Sequence, residues 1–406
     1  MSAELEKEGT PALEGIRVLD VATFVAAPFC AALLAEFGAD VIKAELPKTG
    51  DPTRKFGTPT ECGETLVWLS ESRNKRSITL DLRKPEGAEL FKQLVAKADV
   101  VCENFQPGTL EKWGVGYDVL KTVNPRLVML RISAYGQTGP YKDRPGFGRI
   151  ANAFGGISFL AGYPDRAPVT PGSATLPDYL SGVFGAFGVL MALRVRDKTG
   201  EGQVIDIGLY ETIFRILDEL APAFDKVNYV RQRMGPGTVN VVPHSHYPTR
   251  DGCWIAIACT SDKIFARLAD LMGCAEVAGD GKFGTIAKRE AHREEIDKMV
   301  AEWTSKHNHD ELIALCEQGQ VPCGPVYSID QIFQDPQYHA RENILRVKDD
   351  RIGSLAIANV IPRLTSTPGK VRWLGCGLGE HNEEIYSGLL GLTAERMKEL
   401  REKGVI

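Results

Sequence analysis

"IRVLDVATFVAAPFCAALLAEFGADVIKAE", residues 16–45, decides the fold class. Residues 16–22 are a short apolar run of strand type, and 39–45 are another. Between them 28–38 read as a helix, with Pro28 suited to its first turn and Gly38 to its C-terminal stop. Strand, helix and strand in succession form the unit from which parallel sheets are built. The pattern recurs in "RSITLDL" (76–82), "PEGAELFKQLVAKA" (85–98) and "DVVCENF" (99–105), then in helical segments and the strand "RLVMLRIS" (126–133). The expected fold is α/β, with an open, Rossmann-like large domain.

Further along, "TLPDYLSGVFGAFGVL" (175–190) is small and apolar apart from Asp178. Glycine inside a helix is unfavourable by about 1 kcal/mol relative to alanine. Gly182, Gly185 and Gly188 therefore point to another backbone packed closely against this helix. Residues 202–217 read as a strand running into a helix. Turn formers then dominate "RQRMGPGTVNVVPHSHYPTRDG" (231–252), ahead of "CWIAIAC" (253–259) and several short helices. The expected division is 1–224 as the first part of the large domain, 225–330 as a smaller α/β domain, and 331–406 as a return to the first.

The chain has 406 residues, 43% hydrophobic and 25% charged, with a net charge of −5. That is ordinary for a globular protein and long enough for two domains. No Lys/Arg block stands out, so neither nucleic acid nor an anionic membrane is an expected partner. Nine cysteines without a CxxC pair fit reduced thiols and a cytoplasmic location. The acidic N-terminus resembles neither a signal nor a transit peptide, and no apolar run reaches the roughly 18 residues of a membrane span.

The turn after the first strand, "DVATFVAAPFC", lacks the glycines of a dinucleotide site. "GFGRIA" (146–151) fits GxGxxA but follows a turn-rich stretch instead of a strand, and reads as a chance match. The pairs His244/His246 and His307/His309 have no cysteine or carboxylate at ligand spacing, so no metal is expected. Arg54, Lys112 and "NKRS" (74–77) are scattered cations that could serve a polyphosphate ligand. Asp178 has two readings on local pattern alone: a helix N-cap, or a nucleophile on a dry, closely packed platform.

Longer phrases carry a resemblance. "LEGIRVLDVATFVAAPFCAALLAEFGADVIKAELPKTGDPTR", "NKRSITLDLRKPEG", "ADVVCENFQPGTLEKWGVGYDVLKTVNPRLVMLRISAYGQTGP" and "TLPDYLSGVFGAFGVLMALRVRDKTGEGQVIDIGLYE" resemble the class III CoA-transferases, the family of formyl-CoA transferase, carnitine-type CoA-transferases and α-methylacyl-CoA racemase. "FGTPT", "WLSESRNKRS", "RPGFGRI" and "PHSHYPTRDG" are most similar to its dicarboxylate members of succinyl-CoA:malate type. The resemblance implies two domains and two subunits interlinked like chain rings, either a homodimer or a pair with a paralogous subunit. It implies Asp178 as the catalytic carboxylate. Contacts to CoA fall on Val25, Ala26, Leu80, Asn104, Phe105 and Lys112, with Arg54 as a phosphate partner and Gly235 and Gly237 in a mobile loop over the site. Coenzyme A enters as substrate, with no permanently bound cofactor.

Two departures narrow the activity. Val25 stands where the formyl transferases have glutamine, and Phe147–Gly148 stand where the racemases have histidine and aspartate, so a racemase's proton shuttle is missing. The expected reaction moves CoA from an acyl-CoA, succinyl-CoA foremost, to a dicarboxylic acid such as malate, citramalate or itaconate. Its alternatives are intramolecular transfer on a dicarboxyl-CoA and racemase-like isomerisation. A carboxylate displacing a thiolate is uphill by about 4.5 pKa units, on the order of 6 kcal/mol, so the site must stabilise the developing charge and exclude water. The far carboxylate of a dicarboxylate calls for a cation, and Arg149 is the sequence candidate.

Overall fold

The computed structural model describes residues 9–279 and 281–406. Two compact units emerge: 9–158, 170–228 and 339–406 form one, and 159–169 with 229–338 form the other. These divisions lie at 228/229 and 338/339, beside the expected 224/225 and 330/331. Segment 159–169 joins the second unit because Gly235 N–H donates to Gly162 O (2.9 Å) and the Arg233 guanidinium to Phe159 O (3.1 Å).

The first unit holds six strands: β1 (Arg17–Asp20), β2 (Asp40–Glu45), β3 (Lys75–Thr79), β4 (Val100–Glu103), β5 (Val128–Ser133) and β6 (Val204–Gly208). They pair in the order β3-β2-β1-β4-β5-β6, every neighbour parallel. Register explains the apolar runs. Val18 lies beside Val41 and Val100, and Val100 beside Val128; this row faces one helical layer. Leu19 lies beside Ile42 and Val101, and Val101 beside Met129; that row faces Phe91, Leu94, Tyr386 and Met397 on the other side. A sheet covered on both faces needs apolar residues at successive positions, each buried aliphatic side chain contributing ~1.5–3 kcal/mol.

Helix α1 (Ala26–Glu36) follows β1, helix α2 (Gly148–Phe154) follows the long loop after β5, and helix α3 (Leu176–Thr199) precedes β6. The glycines of α3 meet α1 and the sheet. A Cβ on Gly182 would lie 2.9 Å from the Ala26 carbonyl oxygen, one on Gly185 2.8 Å from Leu130, and one on Gly188 3.1 Å from Ile205. Alanines 27, 31 and 35 on α1 complete this close contact.

One sequence expectation needs correction here. Helix α3 spans 24 residues and is long and apolar enough to cross a membrane by length and composition. Its glycine face, with Val189 and Leu193, is packed as in a core helix. Its opposite face carries Val183, Phe187, Leu190, Met191 and Val195, 45–58% exposed.

The second unit contains an antiparallel sheet of β7 (His244–Pro248), β8 (Trp254–Ala258) and β9 (Cys323–Pro325). Helices Asp262–Leu271, Arg293–Thr304 and His309–Gln318 cover it through Phe265, Leu268, Ile296, Val300 and Leu312. Buried Arg289 is held by Val242 O (2.7 Å), Phe283 O (2.9 Å) and Asp262 (2.8 Å). All nine cysteines are free thiols.

Candidate active site

From β1 the chain crosses to β2 on one side and from β4 to β5 on the other, and the crevice beyond the carboxyl ends of such strands is where open α/β sheets bind ligands. A cleft of about 220 Å³ opens there, lined by Thr23, Phe24 and Ala26 after β1, Asn104 and Phe105 after β4, Ser133 at the end of β5, and Asp178. A smaller cavity of about 70 Å³, lined by Leu80, Arg83 and Trp113, shares Thr23 and Phe105 with it.

Buried polar groups hold the loop after β1. Thr23 N–H donates to Asn104 Oδ1 (2.8 Å), and Asn104 Nδ2 donates to Thr23 O (2.6 Å). Phe24 has φ 61°, the left-handed region that non-glycine residues rarely adopt, and its N–H donates to Asp51 Oδ1 (3.3 Å). Asp51 pairs with Lys43 (3.0 Å), whose ammonium also donates to Ala22 O and faces Asp20. Burial opposes the charge on Lys43, but Asp20, Asp51 and Glu45 outweigh it and hold the pKa well above the usual lysine range. After β4, Glu103 accepts from Phe105 N–H (2.7 Å) and from Arg131 (2.6 Å). Burial pushes the Glu103 carboxyl up to about 7 against the pull of Arg131.

Asp178 lies in the first turn of α3, three residues after the N-cap residue Thr175. Thr175 does not use its side chain as a cap; its hydroxyl donates to Asp178 Oδ2 instead. The N-cap reading of Asp178 therefore gives way. The carboxylate is half-buried and makes no ion pair among the described residues. Burial raises its pKa above the ordinary aspartate value, with the Thr175 hydroxyl and its own backbone N–H pulling the other way. Gly148, at the start of α2, clears the space beside it: a Cβ there would overlap both the Asp178 carboxylate and the Thr175 hydroxyl.

Of the sequence candidates, the structure gathers Ala26, Asn104, Phe105 and Asp178 around the main cleft and Leu80 around the smaller one. Val25 is the N-cap residue of α1, and Lys112 is exposed at the end of the short helix Thr109–Lys112; neither is among the residues lining these two cavities. Arg54 departs from expectation. Its guanidinium is buried, bonded to both oxygens of Glu45 (2.7 and 2.9 Å), to Glu64 and to Cys376 O (3.1 Å), and stacked on Trp68. A phosphate there would compete with two carboxylates. Arg149 is exposed beside the Thr170 hydroxyl (3.4 Å) and does not line the cleft. Gly235 and Gly237 belong to the second unit, Gly235 against the Tyr163 ring and Gly237 near Met234 O and Arg293.

Sequence reasoning missed Gly148, Thr175, Lys142 and Arg144. The GxGxxA match at 146–151 was the available signal: it contributes Gly146 and Phe147 to the cleft wall and Gly148 to the carboxylate's space, though as no dinucleotide loop. Phe147 meets Phe24 edge-on at 6.0 Å. Elsewhere Cys376, Glu380 and His381 bring three ligand-type atoms together. The Cys376 thiol donates to Lys75 O and burial pushes it up to about 12, while His381 Nδ1 accepts from Ser77 N–H, so the trio serves the fold.

Residues 13–382 match CoA-transferase family III. The chain is 53% identical over 396 residues to the beta subunit of succinyl-CoA–L-malate CoA-transferase from Chloroflexus aurantiacus, covering 97% of this chain and 98% of that one. It is 45% identical over 394 residues to the succinyl-CoA–D-citramalate CoA-transferase of the same organism, with the same coverage of 97% and 98%. The crystal structure of a CAIB/BAIF family protein from Brucella suis superposes with a TM-score of 0.83 at 34% identity, covering 94% of this chain and 100% of the other. A desolvated carboxylate at the switch point of a parallel sheet thus sits in a chain matched over nearly its whole length, and that chain belongs to CoA-transferase family III, enzymes that take CoA thioesters as substrates.

Proposed function

We propose that this enzyme moves CoA from succinyl-CoA to a free dicarboxylic acid of the malate or citramalate type, with Asp178 as the group that carries the acyl and then the CoA. The observation that carries the reading is Asp178 itself, a half-buried carboxylate at the wall of the switch-point cleft that pairs with no cation among the described residues.

In the first step an Asp178 oxygen attacks the thioester carbonyl; the C–S bond breaks and CoA leaves as thiolate, forming a mixed anhydride. The thiolate then attacks the aspartyl carbonyl, releasing succinate and leaving an aspartyl-CoA thioester. The acceptor carboxylate attacks that thioester, CoA leaves again, and the thiolate attacks the acceptor's acyl carbon, freeing Asp178. Desolvation makes the carboxylate more basic and narrows its gap to the thiolate. Shelter from water protects the anhydride. Among the described residues lining the cleft, Asp178 is the one carboxylate and none is a histidine, so the lining suits acyl exchange and lacks the histidine–carboxylate pairing of a racemase.

For CoA, the walls formed by Ala26, Asn104 and Phe105 lead toward Leu80 through the shared Thr23 and Phe105. The active assembly is two chains, a homodimer or a pair with a paralogous subunit. The exposed apolar face of α3 and the beta-subunit name of a relative support this. Nine free thiols support a cytoplasmic location.

The test is mass spectrometry of CoA esters after incubation with succinyl-CoA and a panel of free acids, with hydroxylamine to trap activated aspartate. Asp178→Ala should abolish exchange and the hydroxamate while CoA still binds. Turnover retained by that variant overturns the proposal.

A further inference from the structure

A dicarboxylate entering this cleft presents two negative groups to a wall that already carries the Asp178 carboxylate. One group must approach Asp178 to react. The other needs a counter-charge, because like charges at close range are strongly unfavourable in a partly desolvated site. Arg149 does not supply it, since it lies outside the cleft wall.

The loop after β5 does. Lys142 and Arg144 both line the cleft that Asp178 lines. Neither makes an ion pair among the described residues, whereas the buried cations Lys43, Arg54, Lys75 and Arg131 of this unit are all matched to carboxylates. The Arg144 guanidinium is stacked over the Tyr141 ring, 3.6 Å from its centroid, which restricts its orientation and leaves its N–H edge for a ligand. Arg144 N–H donates to Tyr141 O (2.9 Å), so a turn fixes the base of the side chain as well.

A third group points the same way. Ser133, at the carboxyl end of β5, lines the cleft and is only 8% exposed, yet its hydroxyl has no hydrogen-bond partner among the described residues. A buried hydroxyl without a partner is unfavourable. Rotation of χ1 to another staggered position would present it to a ligand in the cleft.

We infer that Lys142 and Arg144, with the Ser133 hydroxyl, form the subsite for the non-reacting carboxylate of the dicarboxylic substrate. The subsite rests on the reading of Asp178 as the reacting group. It serves the succinyl moiety of the donor and the incoming acid in turn, since each carries a free carboxylate at the far end from the reacting carbon. Its ligand class is a short-chain dicarboxylate, and it selects against monocarboxylic acids of the same length.

Arg144→Met, Lys142→Met and Ser133→Ala, measured with succinyl-CoA and butyryl-CoA as donors and with malate and butyrate as acceptors, test this. The ratio of kcat/KM for dicarboxylate over monocarboxylate should fall about tenfold in the arginine and lysine variants, with the change in KM. Arg144→Lys should recover part of the ratio. Binding of free CoA, followed by calorimetry, should keep its affinity in all of them. An unchanged ratio overturns the subsite, and so does a loss of CoA affinity, which would assign the cations to the phosphates of CoA. Asp178→Ala, run alongside, separates the two claims: exchange abolished there with ratios unmoved in the loop variants removes the subsite alone, and exchange retained there removes the reading beneath it.

Discussion

Gly148 leaves empty the volume that the Asp178 carboxylate occupies: a Cβ on this glycine would coincide with the carboxylate and with the Thr175 hydroxyl bonded to it. Its backbone is not in the left-handed region, so the requirement is for space alone. Gly148→Ala should therefore fold, yet displace the nucleophile from its bond to Thr175. A misplacement of about 1 Å can reduce turnover on the order of 10²-fold. Steady-state kcat should fall by that order while CoA affinity and the melting temperature stay near the parent values.

The raised pKa of Asp178 has a sign that can be measured. Burial disfavours its ionised form, so the folded chain binds a proton here more tightly than the unfolded chain does. Stability from this group is fully present below the unfolded aspartate value and is lost as pH rises through the higher folded one. Asp178→Asn removes a charge that is unfavourable at neutral pH. The variant should be inactive and melt at a higher temperature than the parent at pH 7 to 8, an activity–stability exchange. The difference in melting temperature should shrink as pH falls toward the folded pKa. The parent's kcat should decline over the same acidic range as the nucleophile protonates. Melting scans across pH for both proteins check the two halves together.

How much of this was legible in the chain follows from the range of each interaction. The strand–helix–strand units are local periodicities, and β1, α1 and β2 stand where 16–45 predict them. Asp178 stood out because one acid in an apolar, glycine-spaced helix is a local anomaly, but that pattern alone left it between an N-cap and a nucleophile. The roles of the cations were not legible. Arg54 is matched by Glu45 and Glu64 only when β2 and the following loops come together, and sequence shows the charge without showing its partner. Lys142 and Arg144 lie in a turn-rich stretch that reads as solvated surface until β5 brings it to the cleft. Gly148 was hidden for another reason: what it contributes is the absence of a side chain at a contact distant in sequence.

Asn104 offers a prediction about positioning. Both ends of its amide are engaged by the Thr23 backbone, so it joins the loops after β1 and β4 across the switch point. Asn104→Ala leaves a half-buried N–H and C=O without partners and loosens the wall that Thr23, Phe24 and Ala26 present. Free CoA should bind about tenfold more weakly by calorimetry, an effect of a lost pair of hydrogen bonds. Asn104→Asp should also weaken it, because a carboxylate accepts from Thr23 N–H but cannot donate to Thr23 O.

Lys43 belongs to the buried ion network beneath the site. It is almost wholly buried and lies between Asp20 and Asp51, and Asp51 in turn receives the N–H of the strained Phe24. Replacing it with methionine keeps the volume and leaves a buried carboxylate facing no cation, a change that typically destabilises by ~3–5 kcal/mol. Asp20 keeps Lys75 (2.9 Å), so the deficit falls on Asp51. In the parent, burial pushes Asp51 up, but Lys43 and Thr53 outweigh it, so its folded pKa is depressed and its stabilising contribution is lost as pH falls through that value. Without Lys43 the largest charge opposing burial is gone and the Thr53 bonds remain, so the folded pKa of Asp51 rises from its depressed value. The stability difference between Lys43→Met and the parent should therefore be largest near neutral pH and narrow toward pH 4, as urea midpoints measured across that range would show. CoA affinity should fall at the same time, because Asp51 is what holds Phe24 at the cleft wall; a variant that lost stability yet kept CoA affinity would separate the buried ion network from the site.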